Sequence, residues 1–113
     1  NKSSDSFWSI IREQHHAGQI LFELKNVRLL RADHILQLAN YLRDPLLHFG
    51  VLVTRNAPHA SAAKKARSVL DRSGDIILIL TDDDIVEMLR VMANGEDPSR
   101  SLSHIYLAMV RAP

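Results

Sequence analysis

Cysteine is absent from the chain. That rules out a disulfide framework and any thiolate metal site, and it fits a reducing, cytoplasmic setting. Excess charge of one sign is missing as well. Fourteen Lys and Arg against thirteen Asp and Glu leave a formal net charge of +1. No global field therefore steers the molecule toward nucleic acid, and any such contact must come from a local patch. Long apolar runs are missing too. Ile76-Ile77-Leu78-Ile79-Leu80 is apolar throughout but far shorter than the roughly 20 residues of a transmembrane helix, so no membrane partner is expected. There is no internal repeat, no low-complexity tract and no Gly-rich phosphate loop. The last absence removes the backbone cradle that such loops offer a phosphate.

What remains suits one domain. The 113 residues are 46% apolar and 24% charged, ordinary shares for a packed globular unit. The polar opening Asn1-Lys2-Ser3-Ser4-Asp5 lacks a methionine and is expected to be cut from a longer chain.

Punctuation divides the chain into alternating elements. A first helix is expected from about Asp5 to His16, capped by Ser4 or Asp5, with Gly18 just past its end. A buried strand around Ile20–Val27 follows. Ile35, Leu38, Ala39 and Leu42 recur at helical spacing, and that helix is expected to stop before Asp44-Pro45. The second strand is Phe49–Thr54. An alanine-rich helix runs from about His59 to Arg72 and ends at Gly74. The third strand, Ile76–Leu80, is apolar on both faces, as in a parallel sheet covered on each side. Thr81 or Asp82 caps a helix with the stripe Ile85, Met88, Leu89 and Met92, closed by Gly95. Asp97-Pro98 opens a last helix. Strands alternating with helices predict a three-layer α/β domain.

The strand Gln19-Ile20-Leu21-Phe22-Glu23-Leu24-Lys25-Asn26 carries the chemistry. Side chains alternate along a strand, so Glu23 and Lys25 share one face. A carboxylate and an ammonium in an apolar strand need a reason, because burying either charge alone is costly. Phosphodiester hydrolysis supplies one. It needs charge neutralised at the phosphate and a hydroxide made from water, both of which a carboxylate-held divalent metal provides. A nearby lysine can orient the water and stabilise developing charge.

On these residues the chain resembles the PD-(D/E)xK nuclease superfamily, in its restriction-endonuclease-like, Mrr-type branch. Glu23-Leu24-Lys25-Asn26 is similar to the E-x-K strand. Gln37-Leu38-Ala39-Asn40-Tyr41 resembles the Q-x-x-x-Y element of RecB-type members. Phe49-Gly50-Val51-Leu52-Val53-Thr54-Arg55-Asn56 resembles the FGxLVT strand. The resemblance spans roughly residues 19 to 90 and implies a three-layer α/β/α core around a mixed sheet, here without its first strands. It implies a Mg²⁺-dependent DNA endonuclease, with RNA also open as substrate. Glu23 would be a metal ligand and Lys25 the catalytic lysine. Gln37 and Tyr41, one helical turn apart, would face the site or the nucleic acid, as would Arg55 and Asn56. Such domains serve as effectors in bacterial restriction and defence, often as dimers or fused to a sensor or ATPase. The pattern calls for a second acid on a strand hairpinned to Glu23's. Asp5 is the one aspartate before Glu23 and reads as a cap, so the acid is expected upstream of Asn1 or is absent.

Without that acid, the alternative is a non-catalytic nuclease-like module for dimerisation, docking or DNA tethering. Lys64, Lys65, Arg67 and Arg72 form a basic helix face, either solvated or able to touch a DNA backbone. Asp82, Asp83 and Asp84 read as a helix start, not a metal cluster. The histidines show no zinc spacing. Leu102, Ile105, Tyr106 and Met109 line one side of the last helix, as a subunit contact or as core.

Overall fold

Helices and strands alternate along the chain in the order α1 (Lys2–His15), β1 (Leu21–Lys25), α2 (Ala32–Tyr41), β2 (Phe49–Thr54), α3 (Ala60–Ser73), β3 (Ile76–Thr81), α4 (Asp82–Ala93) and α5 (Ser99–Arg111). The structure is a computed structural model that describes residues 2–42 and 47–111, with side chains from Phe7 onward. The expected Asp44-Pro45 stop lies outside the described residues; α2 itself ends at Tyr41, with Leu42 as its C-cap.

The sheet has the order β1-β2-β3, and both pairings are parallel. The mixed sheet expected from the resemblance is therefore not found among the described strands. The reason is connectivity. Each strand reaches the next through a helix, and such crossovers join parallel neighbours, whereas antiparallel ones need a short hairpin.

Two cores form, one on each face of the sheet. Phe49, Val51, Ile76, Leu78 and Leu80 pack with Phe7 and Ile11 of α1 and Leu102 and Tyr106 of α5. Leu52 and Ile77, on the opposite face, pack with Ile35, Leu38 and Leu42 beside α2 and with Ala62, Ala66 and Val69 of α3. The period-two alternation of β2 and β3 thus sends neighbouring residues to different layers. Leu102, Ile105, Tyr106 and Met109 belong to the first core, so the apolar side of α5 is spent on packing. Trp8 joins the same core, edge-on to Phe7 with ring centroids 4.8 Å apart.

Gly50 sits in β2 against α2. A Cβ there would lie 3.1 Å from Leu38 Cδ2. The missing side chain lets α2 approach the sheet closely, and α2 carries Gln37.

Several local expectations change. Strand β1 is not buried. It spans Leu21–Lys25 at the sheet edge, with Phe22 63% and Leu24 82% exposed. Both residues share the face of their register partners Val51 and Val53. The α1 and α5 side chains of that layer pack on β2 and β3, which leaves the outer apolar row uncovered. Helix α1 begins at Lys2, so Ser4 and Asp5 lie within it and neither is its cap. At its other end His16, not Gly18, takes the left-handed conformation, with φ 56°. The His15 ring anchors that end: Nδ1 lies 3.0 Å from the Gly74 carbonyl and Nε2 2.8 Å from the Tyr106 hydroxyl. In α4, Ile85 and Met88 pack inward and Val91 is buried, but Leu89 and Met92 face solvent beside Val86. The buried row is thus rotated from the expected one.

Candidate functional site

Three parallel strands deliver their carboxyl ends to one edge of the domain. Lys25, Thr54 and Thr81 stand side by side there in register. Helices α2, α3 and α4 begin from that edge. In open parallel sheets, ligand sites form at this end because the loops and the positive ends of helices converge on it.

Glu23 and Lys25 point to the α2 side of β1. Lys25 Nζ lies 3.4 Å from Glu23 Oε1, the two side chains being 20% and 31% exposed respectively. The same Nζ donates a long hydrogen bond, 3.5 Å, to Gln37 Oε1. Glu23 Oε2 is buried and accepts no hydrogen bond among the described residues. A carboxylate oxygen shielded from water usually finds a donor or a cation, because leaving it bare costs about 1–3 kcal/mol or more. One oxygen of Glu23 is therefore engaged by Lys25 and the other is available.

That available oxygen bears on a magnesium ion. Mg²⁺ takes hard oxygen ligands, keeps several waters, and is held by as few as one or two carboxylates. Glu23 Oε2 fits one such position. Among the described residues no three His, Asp or Glu side chains gather closely enough to make a metal cage. The donor set fits one ligand of a largely hydrated ion and leaves the second acid to be supplied.

The other candidates are placed as follows. Gln37 joins Glu23 and Lys25. Tyr41, one turn further along α2, is 65% exposed and extends into solvent. Arg55 and Asn56 follow β2 directly and are exposed. They share the carboxyl edge with Lys25 through the buried Thr54, which pairs with Lys25 in register. Asp84 closes a capping box with Thr81: its carboxylate accepts from the Thr81 N–H at 2.8 Å, and its own N–H donates to Thr81 Oγ1 at 3.3 Å. The acidic triplet thus starts α4. On α3, Arg67 bonds to Asp71 Oδ1 at 3.1 Å and to the Met109 carbonyl at 3.2 Å, and also to the Val110 carbonyl. That guanidinium ties α3 to the end of α5, which removes it from the supposed basic face.

Two cations at the carboxyl edge escaped the motif reading. Arg28 lies in the loop after β1, and Arg31 is the N-cap residue of α2; both are exposed. The signal available was positional, since residues just past a strand's carboxyl end line the site edge in such sheets. Elsewhere, His48 Nδ1 lies 2.8 Å from Asp75 Oδ1 and Ser73 Oγ donates to Asp75 Oδ2 at 3.2 Å. This polar knot closes the amino ends of β2 and β3. A cleft of about 750 Å³ opens between α1, α4 and α5, with Phe7, Ile10 and Ile105 below Glu87, Arg90 and Arg100. It contains none of the candidate residues.

No protein-family model, curated protein or solved structure matches the chain. No helix among the described residues is long and apolar enough to cross a membrane.

Proposed function

We propose that this chain is a nuclease domain of the PD-(D/E)xK type, hydrolysing DNA phosphodiester bonds with Mg²⁺. The observation that carries the reading is the buried, unpartnered Oε2 of Glu23 beside a Lys25 ammonium that Glu23 Oε1 and Gln37 Oε1 hold from two sides. A surface ion pair with no further task would leave both carboxylate oxygens in water. The three motifs of the resemblance supply the rest of the support.

In this reading Glu23 Oε2 would hold the ion. When bound, a divalent metal neutralises phosphate charge and lowers the pKa of attached water. Lys25 presents a fixed positive charge and N–H donors to a phosphate oxygen or to the attacking water, which steadies the negative charge that grows as the phosphorus is attacked. Gln37 has no formal charge. Its carbonyl oxygen directs Lys25 Nζ, so its part is to position that group. A second carboxylate reaching Glu23 would come along the open edge of β1, the side that has no strand partner among the described residues. The setting we propose is a cytoplasmic effector of DNA restriction or defence, acting as a dimer or joined to a sensor or ATPase.

A second reading rests on one specific feature. The open edge of β1 bears Phe22 and Leu24 in solvent, the kind of edge that takes up another strand. A non-catalytic module docking through that edge would keep the fold without the chemistry.

Plasmid DNA incubated with the protein and Mg²⁺ separates the two. Cleavage is expected, and Glu23→Ala and Lys25→Ala are each expected to abolish it while thermal unfolding stays close to that of the parent. Cleavage that persists in both variants removes the site. Absence of cleavage in the parent chain, with strand pairing detected at β1, favours the docking module.

A further inference from the structure

We propose that Arg28, Arg31 and Arg55 form a phosphate-binding rim that tracks the backbone of duplex DNA past the Glu23–Lys25 site. This inference rests on the nuclease reading for its substrate, but on separate residues for its evidence.

The rim is built by two loops that are bonded together. The loop after β1 carries Arg28 and leads to Arg31. The loop after β2 starts with Arg55. The His59 N–H donates to the Leu30 carbonyl at 2.9 Å, and the Ala32 N–H donates to Ser61 Oγ at 3.2 Å. These bonds fix the start of α2 against the start of α3 and so set the two loops beside each other. The backbone of Arg31 is pinned as well. Its N–H donates to His34 Nδ1 at 2.9 Å, and its carbonyl accepts from the His34 N–H at 3.1 Å.

What distinguishes the three guanidinium groups is their place at the carboxyl edge of β1 and β2. All three residues are exposed, and none forms an ion pair or a side-chain hydrogen bond among the described residues. Three arginines elsewhere are occupied, whereas Arg72, Arg100 and Arg111 are exposed and likewise without a side-chain partner among the described residues. Arg12 donates to Ser9, Arg67 to Asp71 and to α5 carbonyls, and Arg90 to Glu87. The acid nearest in sequence to the rim, Asp33, lies 3.9 Å from His34 and does not reach an arginine. Lys25 stands at the same edge of the sheet, beside Glu23, while the β3 end of that edge carries the exposed Asp82 and Asp83, so the cationic stretch is confined to the β1–β2 end.

Guanidinium forks match phosphate oxygens in two-point geometry, which a lysine cannot do. Loop arginines offering only such forks would position a duplex without reading its bases. The ligand they fit is a polyanionic backbone longer than the scissile phosphodiester itself. Sequence-independent binding follows.

The test measures binding of a duplex oligonucleotide in EDTA, so that no cleavage intrudes, over a series of salt concentrations. Each neutralised phosphate contributes about 0.9 to the slope of log K against log salt. The triple variant Arg28→Ala, Arg31→Ala, Arg55→Ala is expected to flatten that slope by roughly 2 to 3. It should weaken unrelated duplexes equally. A control triple, Lys64→Ala, Lys65→Ala, Arg72→Ala on α3, removes the same charge elsewhere and is expected to change the slope by less than about 1. An unchanged slope in the rim variant, an equal loss in the control, or no binding by the parent chain overturns the rim. Hydrolysis of bis(p-nitrophenyl) phosphate with Mg²⁺ reads the site separately, because this small diester has no flanking phosphates. Glu23→Ala should lose it. A parent chain that cleaves neither substrate, yet shows the slope change, discards the nuclease reading and keeps the rim.

Discussion

Leu38 Cδ2 lies 3.1 Å from where a Cβ on Gly50 would stand. This close approach sets the distance between α2 and the sheet. Leu38 is fully buried in the α2–α3 core, so it has little room to yield. Gln37 is its immediate neighbour on α2, and Gln37 is the residue that meets Lys25.

Gly50→Ala is therefore expected to cost about 1–3 kcal/mol by overpacking. The helix would move outward, and the long Lys25–Gln37 bond would open. Urea unfolding measures the first effect. The second is read as a loss of cleavage larger than the stability change accounts for. A variant as stable and active as the parent would show that the contact is slack.

Arg67 links distant segments. Its guanidinium meets two carbonyls at the end of α5 and Asp71 one turn along α3. Arg67→Ala is expected to destabilise the fold by roughly 1–3 kcal/mol, the usual range for hydrogen bonds to a charged group. It should also speed amide exchange in the last turn of α5. Asp71→Ala removes only an exposed i,i+4 pair and is expected to cost about 0.5 kcal/mol or less. Equal losses in the two variants would mean that the α5 contact contributes nothing.

Tyr106 provides a pH signature. Burial raises its hydroxyl above the ordinary tyrosine value, and the hydroxyl lies 2.8 Å from His15 Nε2. The folded state therefore holds this proton more tightly than the unfolded chain does. The stabilisation is complete below the unfolded tyrosine pKa, about 10, and is lost as pH rises through the higher folded value. Stability measured by denaturant should fall on this alkaline limb. Tyr106→Phe should remove that part of the fall and also cost about 0.5–1.5 kcal/mol near neutrality through the lost hydrogen bond. An alkaline limb unchanged in Tyr106→Phe would place the titration at another group.

The fold was legible where local chemistry decides it. Of the two expected caps of α4, Thr81 and Asp82, Thr81 is the one used, and Gly74, the expected end of α3, takes the left-handed conformation with φ 76°. The range Phe49–Thr54 followed from an apolar run between breakers. What failed was placement of β1. Ile20–Val27 has the composition of an interior strand, but exposure depends on sheet order, and sheet order depends on which crossover lands where. Phe22 and Leu24 carry no local mark of being at an edge. The site divides the same way. Strand alternation put Glu23 and Lys25 on one face, whereas the Lys25–Gln37 meeting spans twelve residues and needed the close seat of α2 on Gly50. Arg28 and Arg31 belong to no motif. Only the bonds from His59 to Leu30 and from Ala32 to Ser61 place them beside the loop of Arg55.

Glu23 offers the last test, one that needs no turnover. Its Oε2 is buried without a hydrogen-bond donor among the described residues, while Oε1 faces Lys25. A divalent cation seated on Oε2 binds the folded chain and not the unfolded one, so it must raise stability by RT ln(1 + [L]/Kd). With one carboxylate and an ion reluctant to shed water, the affinity is weak. Millimolar Mg²⁺ should therefore raise stability by about 1 kcal/mol or less. Glu23→Gln keeps the shape and the contact with Lys25 but removes the charge, so the Mg²⁺ effect should vanish. The amide is also expected to leave stability without Mg²⁺ within about 1 kcal/mol, since the partly exposed ion pair contributes little. Melting curves of both proteins with Mg²⁺, and with K⁺ at matched ionic strength, separate ion seating from screening. A Mg²⁺ shift that survives Glu23→Gln would move the ion away from β1.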